Sequence, residues 1–293
     1  MSSRILVPVD GSAESRLALT HATAQFPKAH IVLLHVIEPF ADHSKAAGHQ
    51  GRRTKQVFEE RQQLLDEMVE RGDEYAGTFS TELVYGRPVH VIPRYVETHG
   101  INEVVIGSRG RDGTARLLLG SVAETVVRRV PVPVTVVRSN DEEDKDHYPP
   151  PEHVLVPFDR SFCSRNALEY AFEQFPDATV TALFVKSPLF EAYETIESED
   201  NLDDIIAEDE DVEDETHNVF EMARRIADQN ERAVETATAE GDPSRGILGW
   251  LDENDVDHVV IGCHGRDGVA RWVLGSVAET VVRRAPVPVT AIK

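Results

Sequence analysis

Four small residues recur in this chain at one spacing, and together they could hold a phosphate. Gly107, Gly110, Gly120 and Ser121 run glycine, two residues, glycine, nine residues, glycine-serine, and Gly262, Gly265, Gly275 and Ser276 repeat the order. The glycines would let backbone N–H groups approach an oxyanion with no Cβ in the way. The serine would add a hydroxyl at the start of a helix, where free N–H groups and partial positive charge favour anions. Arg109, Arg111 and Arg116 could add charge in the first copy. In the second copy His264 stands where Arg109 stands, and would meet phosphate in a pH-dependent way. Glycines that only serve turns and close packing are the alternative, but the full spacing occurs twice with the same serine. The pattern is neither a Walker A loop, which needs Gly-Lys-Ser/Thr, nor GxGxxG.

The elements that must position these residues are repeated too. Residues 104–137 and 259–292 are identical at 26 of 34 aligned positions, so one half of the chain is a guide to the other. Glu103–Ile106 and His258–Ile261 read as buried parallel strands ahead of each glycine loop. Gly-Ser-Val-Ala-Glu-Thr-Val-Val-Arg-Arg reads as a helix with apolar Val122, Val126 and Val127. Ser121 is expected as its N-cap and Glu124 as the other half of a capping box, with Arg128 and Arg129 suiting its negative end. A final PVPV strand follows in each copy.

The rest of the chain alternates in the same way. Arg4–Val9 reads as a first strand ended by Asp10-Gly11-Ser12, and Ser12 or Asp10 can cap a helix to about Phe26. His30–Ile37 and Thr78–Tyr85 read as strands, Arg52–Arg71 as a helix, and a Pro88-led helix to His99 should be kinked or loosened by Pro93. The second half gives strands at His153–Phe158, Ala178–Val185 and near Arg232–Ala239, a helix from Ser161 to about Phe175, and a helix led by Pro243. Segment 191–215 is a dense acidic run, read as a solvated loop and a helix start that firms by about Val219. A calcium site there would need a D-x-[DN]-x-[DN]-G spacing that the run lacks. Alternating strands and helices imply an α/β fold of two tandem, doubly wound, five-stranded parallel-sheet domains. We expect them at 1–140 and 153–293, joined by an acidic, proline-rich linker at 141–152.

The pattern G-x2-G-x9-G-[ST], after a strand and ahead of a helix and a PVPV strand, resembles the universal stress proteins, and within them the ATP-binding branch. The resemblance covers nearly the whole chain. It implies Rossmann-like (HUP-like) domains with strand order 3-2-1-4-5, whose ligand crevice lies between the first and fourth strands, where Asp10 and Gly107 end them. It also implies an adenine nucleotide as ligand, ATP with ADP or AMP as alternatives, and Mg²⁺ arriving with it. Carried over to this chain, Pro8, Val9 and Asp10 would line adenine and ribose, and Val36 would offer backbone to the adenine edge. Gly107, Arg109, Gly110, Gly120, Ser121 and Val122 would surround the phosphates. The second half supplies Pro157, Phe158, Asp159, Val185, Gly262, His264, Gly265, Gly275, Ser276 and Val277. Phe158 stands where Val9 does and should narrow its site. Asp10 as an ordinary helix cap or turn residue is the alternative. In the resembling family the last strands pair across a dimer; here the two halves could pair inside one chain as a pseudo-dimer, with a homodimer of chains left open.

Composition bounds the partners. The chain has 52 acidic and 30 basic residues and a net charge of −22, which should repel nucleic acid and anionic membranes. It resembles the composition of proteins from salt-loving microbes, so a halophilic archaeon is the expected source and an ordinary acidic cytosolic protein the alternative. No apolar run reaches membrane-spanning length, and MSSRILVPVDGS has no signal-peptide h-region; the expected place is the cytoplasm. Cys163 and Cys263 are not expected to form a structural disulfide there, and Cys263 reads as a small residue where the first copy has Ser108, ahead of a redox-sensitive thiol. The expected function is a stress-response regulator that binds adenine nucleotide at two pseudo-symmetric sites, with no catalytic residue and no metal site of its own. A slow ATPase or nucleotidyl-transfer enzyme is the alternative, yet HxGH and SGGxDS motifs are missing, and Asp112 and Asp267 read as turn residues. A partner-binding pseudo-dimer with vestigial sites is the third reading.

Overall fold

The apolar runs of the first half become parallel strands, most of them buried on both faces. In a computed structural model, which describes residues 3–38, 50–72, 74–110, 119–138, 149–187, 210–263 and 274–293, the chain divides into two units, Met1–Pro150 and Pro151–Lys293. In the first, β1 (Arg4–Pro8), β2 (His30–Ile37), β3 (Thr78–Tyr85), β4 (Glu103–Gly107) and β5 (Val134–Val137) alternate with α1 (Ala13–Gln25), α2 (Gln50–Arg71), α3 (Pro88–Thr98) and α4 (Ser121–Arg129). Parallel pairing gives the order β3-β2-β1-β4-β5. Strands β4 and β5 are buried throughout, whereas β3, at an edge, is half-buried. Ile5 and Val7 pack with Leu17, Ala18, Leu33, Leu65 and Met68 in one core cluster. Leu6, between them and equally buried, serves the other face, as strand alternation requires.

The second unit repeats this plan with β6 (His153–Pro157), β7 (Thr179–Lys186), β8 (Glu235–Glu240), β9 (His258–Gly262) and β10 (Val289–Ile292). Its helices are α5 (Phe162–Gln174), α6 (Glu210–Gln229), α7 (Pro243–Glu253) and α8 (Ser276–Arg284). Its sheet runs β8-β7-β6-β9-β10, again parallel. Crossover helices are long enough to connect parallel neighbours and cover both faces.

Three expectations change. The third strand starts at Glu235, not Arg232, because the Arg232 guanidinium is used elsewhere: it donates to the carbonyls of Phe172 (3.4 Å), Phe175 (3.2 Å) and Ala178 (3.3 Å) and lies over the Phe172 ring. Helix α6 begins at Glu210, well before Val219; acidic residues at a helix N-terminus are favoured by its dipole, which offsets the like-charge repulsion. Helix α3 runs unbroken through Pro93, which is buried. Most of the acidic run, and with it the calcium question, lies outside the described residues, as does most of the linker.

Glycine is required where the first helix of each unit meets the fourth strand. A Cβ on Gly107 would lie 2.7 Å from the carbonyl carbon and Cβ of Glu14. A Cβ on Gly262 would lie 2.6 Å from the carbonyl carbon of Cys163. Gly262→Ala is therefore expected to destabilise the second unit by about 1–3 kcal/mol through overpacking. Gly249→Ala, inside α7 with no atom within 4 Å of the new methyl, is expected to stabilise it by about 0.5–1 kcal/mol. Urea titration of the full chain checks the opposite signs; equal midpoints would contradict this packing.

Burial also sets a pH dependence. His21 on α1 is buried, and desolvation, opposed by a hydrogen bond with Gln25, pulls its pKa down to about 4 from 6.5. The unfolded imidazole takes up a proton below 6.5, while the native one stays neutral until about 4. This share of stability is fully present above pH 6.5 and is lost as pH falls to 4, amounting to about 3 kcal/mol. His21→Leu should flatten the acid side of the stability profile by that amount, measured by denaturant unfolding at pH 7 and pH 4.

Candidate functional site

At the carboxyl end of β1 the chain turns into α1 through Val9-Asp10-Gly11-Ser12. The Val9 N–H donates to the Leu34 carbonyl (2.9 Å), and the buried His35 ring donates from Nδ1 to the Val9 carbonyl (2.7 Å). Gly11 has φ +84°, a conformation that suits glycine. Asp10 Oδ1 accepts from the Ser12 N–H (3.0 Å) and hydroxyl (2.5 Å). Ser12 in turn caps α1, accepting from the Ser15 N–H (3.2 Å). Asp10 is thus a turn residue, and the same geometry aims its second oxygen at the glycine loop: a Cβ on Gly110 would lie 2.6 Å from Oδ2.

The loop is closed at its base. The Ser108 N–H donates to the Val137 carbonyl, and the Gly120 N–H donates to the Ser108 carbonyl, both at 2.8 Å. A Cβ on Gly120 would lie 3.2 Å from that carbonyl oxygen and 3.4 Å from Arg109 Cα, so the closure favours a residue without a side chain. This corrects the expected cap. Gly120 is the N-cap of α4, and Ser121 is its exposed first residue, with no side-chain cap bond. Glu124 pairs with Arg128 (3.4 Å) and not with a cap. The same shift holds in α8, whose N-cap is Gly275. A helix N-terminus with bare backbone still faces the loop, and it favours an anion.

Charge gathers beside the loop, where Arg109 of the motif is joined by Glu14 and Arg138, which no motif flagged. Arg109 Nη2 meets Glu14 Oε1 at 3.0 Å, both side chains about 15–16% exposed. Arg138, next after β5, has its pKa lowered to about 10, chiefly by burial and further by the positive charge of Arg109. Glu14 lies two residues past the α1 cap and Arg138 one past the strand beside β4. Strand order and the alignment of the two halves were the signals that could have found them.

In the second unit Asp159 Oδ1 accepts from the Ser161 N–H (3.0 Å), and the Gly275 N–H donates to the Cys263 carbonyl (2.6 Å). Arg160 takes the place of Gly11 at φ +64°, a strain of about 1–2 kcal/mol for a side-chain-bearing residue, and reaches Glu215 at 3.6 Å. Phe158 does not narrow a crevice. Its ring sits in the core cluster with Leu168, Phe172 and Phe184, because it alternates away from Asp159. Pro8 and Pro157 end their strands opposite Leu34 and Leu183. Val36 and Val185 lie further along β2 and β7, opposite Val84 and Ala239. Val122 and Val277 are half-buried second residues of α4 and α8, and Ser276 is an exposed first residue. Arg111, Asp112, Arg116, His264, Gly265 and Asp267 lie outside the described residues.

Comparison with known proteins follows the same division. The model of the universal stress protein family matches residues 1–138 and 151–293. A universal stress protein of Mycobacterium tuberculosis is 31% identical over 301 residues, covering 97% of this chain and 95% of the relative. One from Methanocaldococcus jannaschii is 31% identical over 144 residues, covering 48% of this chain and 84% of its own. Among solved structures, a universal stress protein from Archaeoglobus fulgidus covers 100% of this chain and 97% of its own, with a TM-score of 0.69 and 23% identity.

Proposed function

This chain belongs to the universal stress protein family, and from that premise we propose that each half binds an adenine nucleotide. We take ATP as the ligand, with ADP or AMP as alternatives, and stress-response regulation, not turnover, as the role. The observation that carries the reading is the contact between Asp10 and the glycine loop. A Cβ on Gly110 would sit 2.6 Å from Asp10 Oδ2, so carboxylate and bare backbone share one crevice at the ends of β1 and β4, the switch point where doubly wound sheets bind ligands.

The residues suit the group in kind. Asp10 accepts hydrogen bonds from ribose hydroxyls. The backbone of Gly110 and Gly120 and the N-terminus of α4 meet phosphate oxygens. Arg109 and Arg138 supply positive charge, and Glu14 holds Arg109 in place until an anion competes for it. Asp159 and Gly275 take the corresponding roles in the second unit. Mg²⁺ enters on the phosphates of the nucleotide. The bound nucleotide supplies a charge that reports the phosphorylation state of the adenylate pool. We read the excess of 52 acidic over 30 basic residues as adaptation to a high-salt cytoplasm. Among the described residues no helix is long and apolar enough to cross a membrane.

The test starts from protein purified in molar KCl with Mg²⁺, then denatured, with released nucleotide identified and counted by chromatography. Two adenine nucleotides per chain are expected, lost on Gly120→Val combined with Gly275→Val. ATP recovered intact after long incubation fits a binder; ADP accumulation would replace the binder with an ATPase. A chain that releases none and takes up none when ATP is added back would overturn the proposal in favour of a partner-binding protein with vestigial sites.

A further inference from the structure

The turn that carries Asp10 is held from below by a buried histidine. His35, on β2, is 1% exposed. Strand alternation puts its ring on the face of Ile31 and Leu33, which share a core cluster with Leu17 of α1 and Leu65 of α2. From there Nδ1 meets the Val9 carbonyl at 2.7 Å. A carbonyl can only accept, so Nδ1 carries the proton. The Val9 N–H donates to the Leu34 carbonyl at 2.9 Å, so β2 grips this residue by both of its polar groups. The Val9 carbonyl and the Asp10 N–H and Cα lie in one plane. A donor on that oxygen therefore fixes where the Asp10 side chain starts. Ser12 fixes its far end, donating its N–H to Oδ1 at 3.0 Å. With both ends held, Oδ2 is turned to Gly110.

Packing alone does not call for an imidazole at this place. Pro8 pairs with Leu34 and Pro157 with Leu183, so Phe184 stands in the second unit where His35 stands in the first. Phe184 is 3% exposed and shares the core cluster of Phe158. A hydrocarbon ring thus fills the position there, and a buried imidazole costs free energy unless it is hydrogen-bonded. The second turn is held in another way. The Asp159 N–H donates to Ser164 Oγ at 3.4 Å. The same peptide group is gripped at its oxygen in one unit and at its N–H in the other. On the reading that the first crevice holds an adenine nucleotide, we propose that His35 is a positioning residue for that site. Through the Val9 carbonyl it sets the Asp10 carboxylate where the ribose hydroxyls reach it. The ring itself is buried beneath the turn, so it acts through Asp10 and not on the ligand. The aim of the carboxylate in the first site depends on this one donor, and the second site has its own.

ATP is titrated onto the full chain carrying Gly275→Val, in molar KCl with Mg²⁺, and onto the same chain with His35→Leu or His35→Asn added. Asparagine carries an N–H donor as far from Cβ as histidine Nδ1 is. Leucine carries a methyl there and leaves the same ring volume unfilled. The expected result is a Kd raised about tenfold by His35→Leu. His35→Asn should recover most of that loss, although leucine suits a core better than an amide does. With Asp10→Ala already present, His35→Leu should change Kd by less than about twofold, because no carboxylate remains to position. A urea midpoint for each variant shows which are folded. If His35→Leu is not, His35→Phe, the ring that the second unit carries, takes its place with the same prediction. Equal Kd for His35→Leu and His35→Asn, or the full loss persisting without Asp10, would overturn this role for His35 and leave the nucleotide reading intact. A Gly275→Val chain that binds no ATP would overturn both.

Discussion

The carboxyl end of each sheet depends on how closely the first helix can lie on the fourth strand. Gly107 and Gly262 permit contact with the backbones of Glu14 and Cys163 that any side chain would block. From that approach the rest follows. It sets the turn after β1 beside the loop after β4, so that Asp10 reaches Gly110. It brings Glu14 within 3.0 Å of Arg109 in one unit and sets Cys163 against the backbone of Gly262 in the other. Packing density leaves little slack here, so the chemistry of the crevice is set by backbone closeness before any ligand arrives.

The two units show how the same scaffold takes different side chains. The loop closure is kept in both, from Gly120 to Ser108 and from Gly275 to Cys263. The residues that look onto it from α1 or α5 and from the ends of β5 or β10 differ in charge and reactivity. The same backbone contacts thus present different side chains at the same place in the two halves.

Much of this was legible in the sequence, for physical reasons. The order of strands and helices along the chain followed from periodicity, and the sheet order, with the crevice between the first and fourth strands, from the resemblance to the universal stress proteins. The S-x-x-E pattern misplaced the helix cap by one residue, because the Gly120 N–H is needed for loop closure and a serine side chain would crowd Ser108. Arg232 read as part of a strand, because its role is a set of bonds to carbonyls 54–60 residues away in sequence. Glu14 and Arg138 belong to no linear motif; they come near Arg109 only through the α1–β4 approach and the β4–β5 pairing. Phe158 read as a crevice residue by alignment, whereas strand alternation sends its ring into the core.

The central claim is that Asp10 and the glycine loop make one binding crevice. The most direct test is an equilibrium titration of ATP onto the Gly275→Val chain, which leaves the first site alone, with and without Asp10→Ala. The account predicts one nucleotide per chain and a Kd raised tenfold or more by Asp10→Ala, about 1.4 kcal/mol or more. A Kd unchanged by that substitution would contradict it.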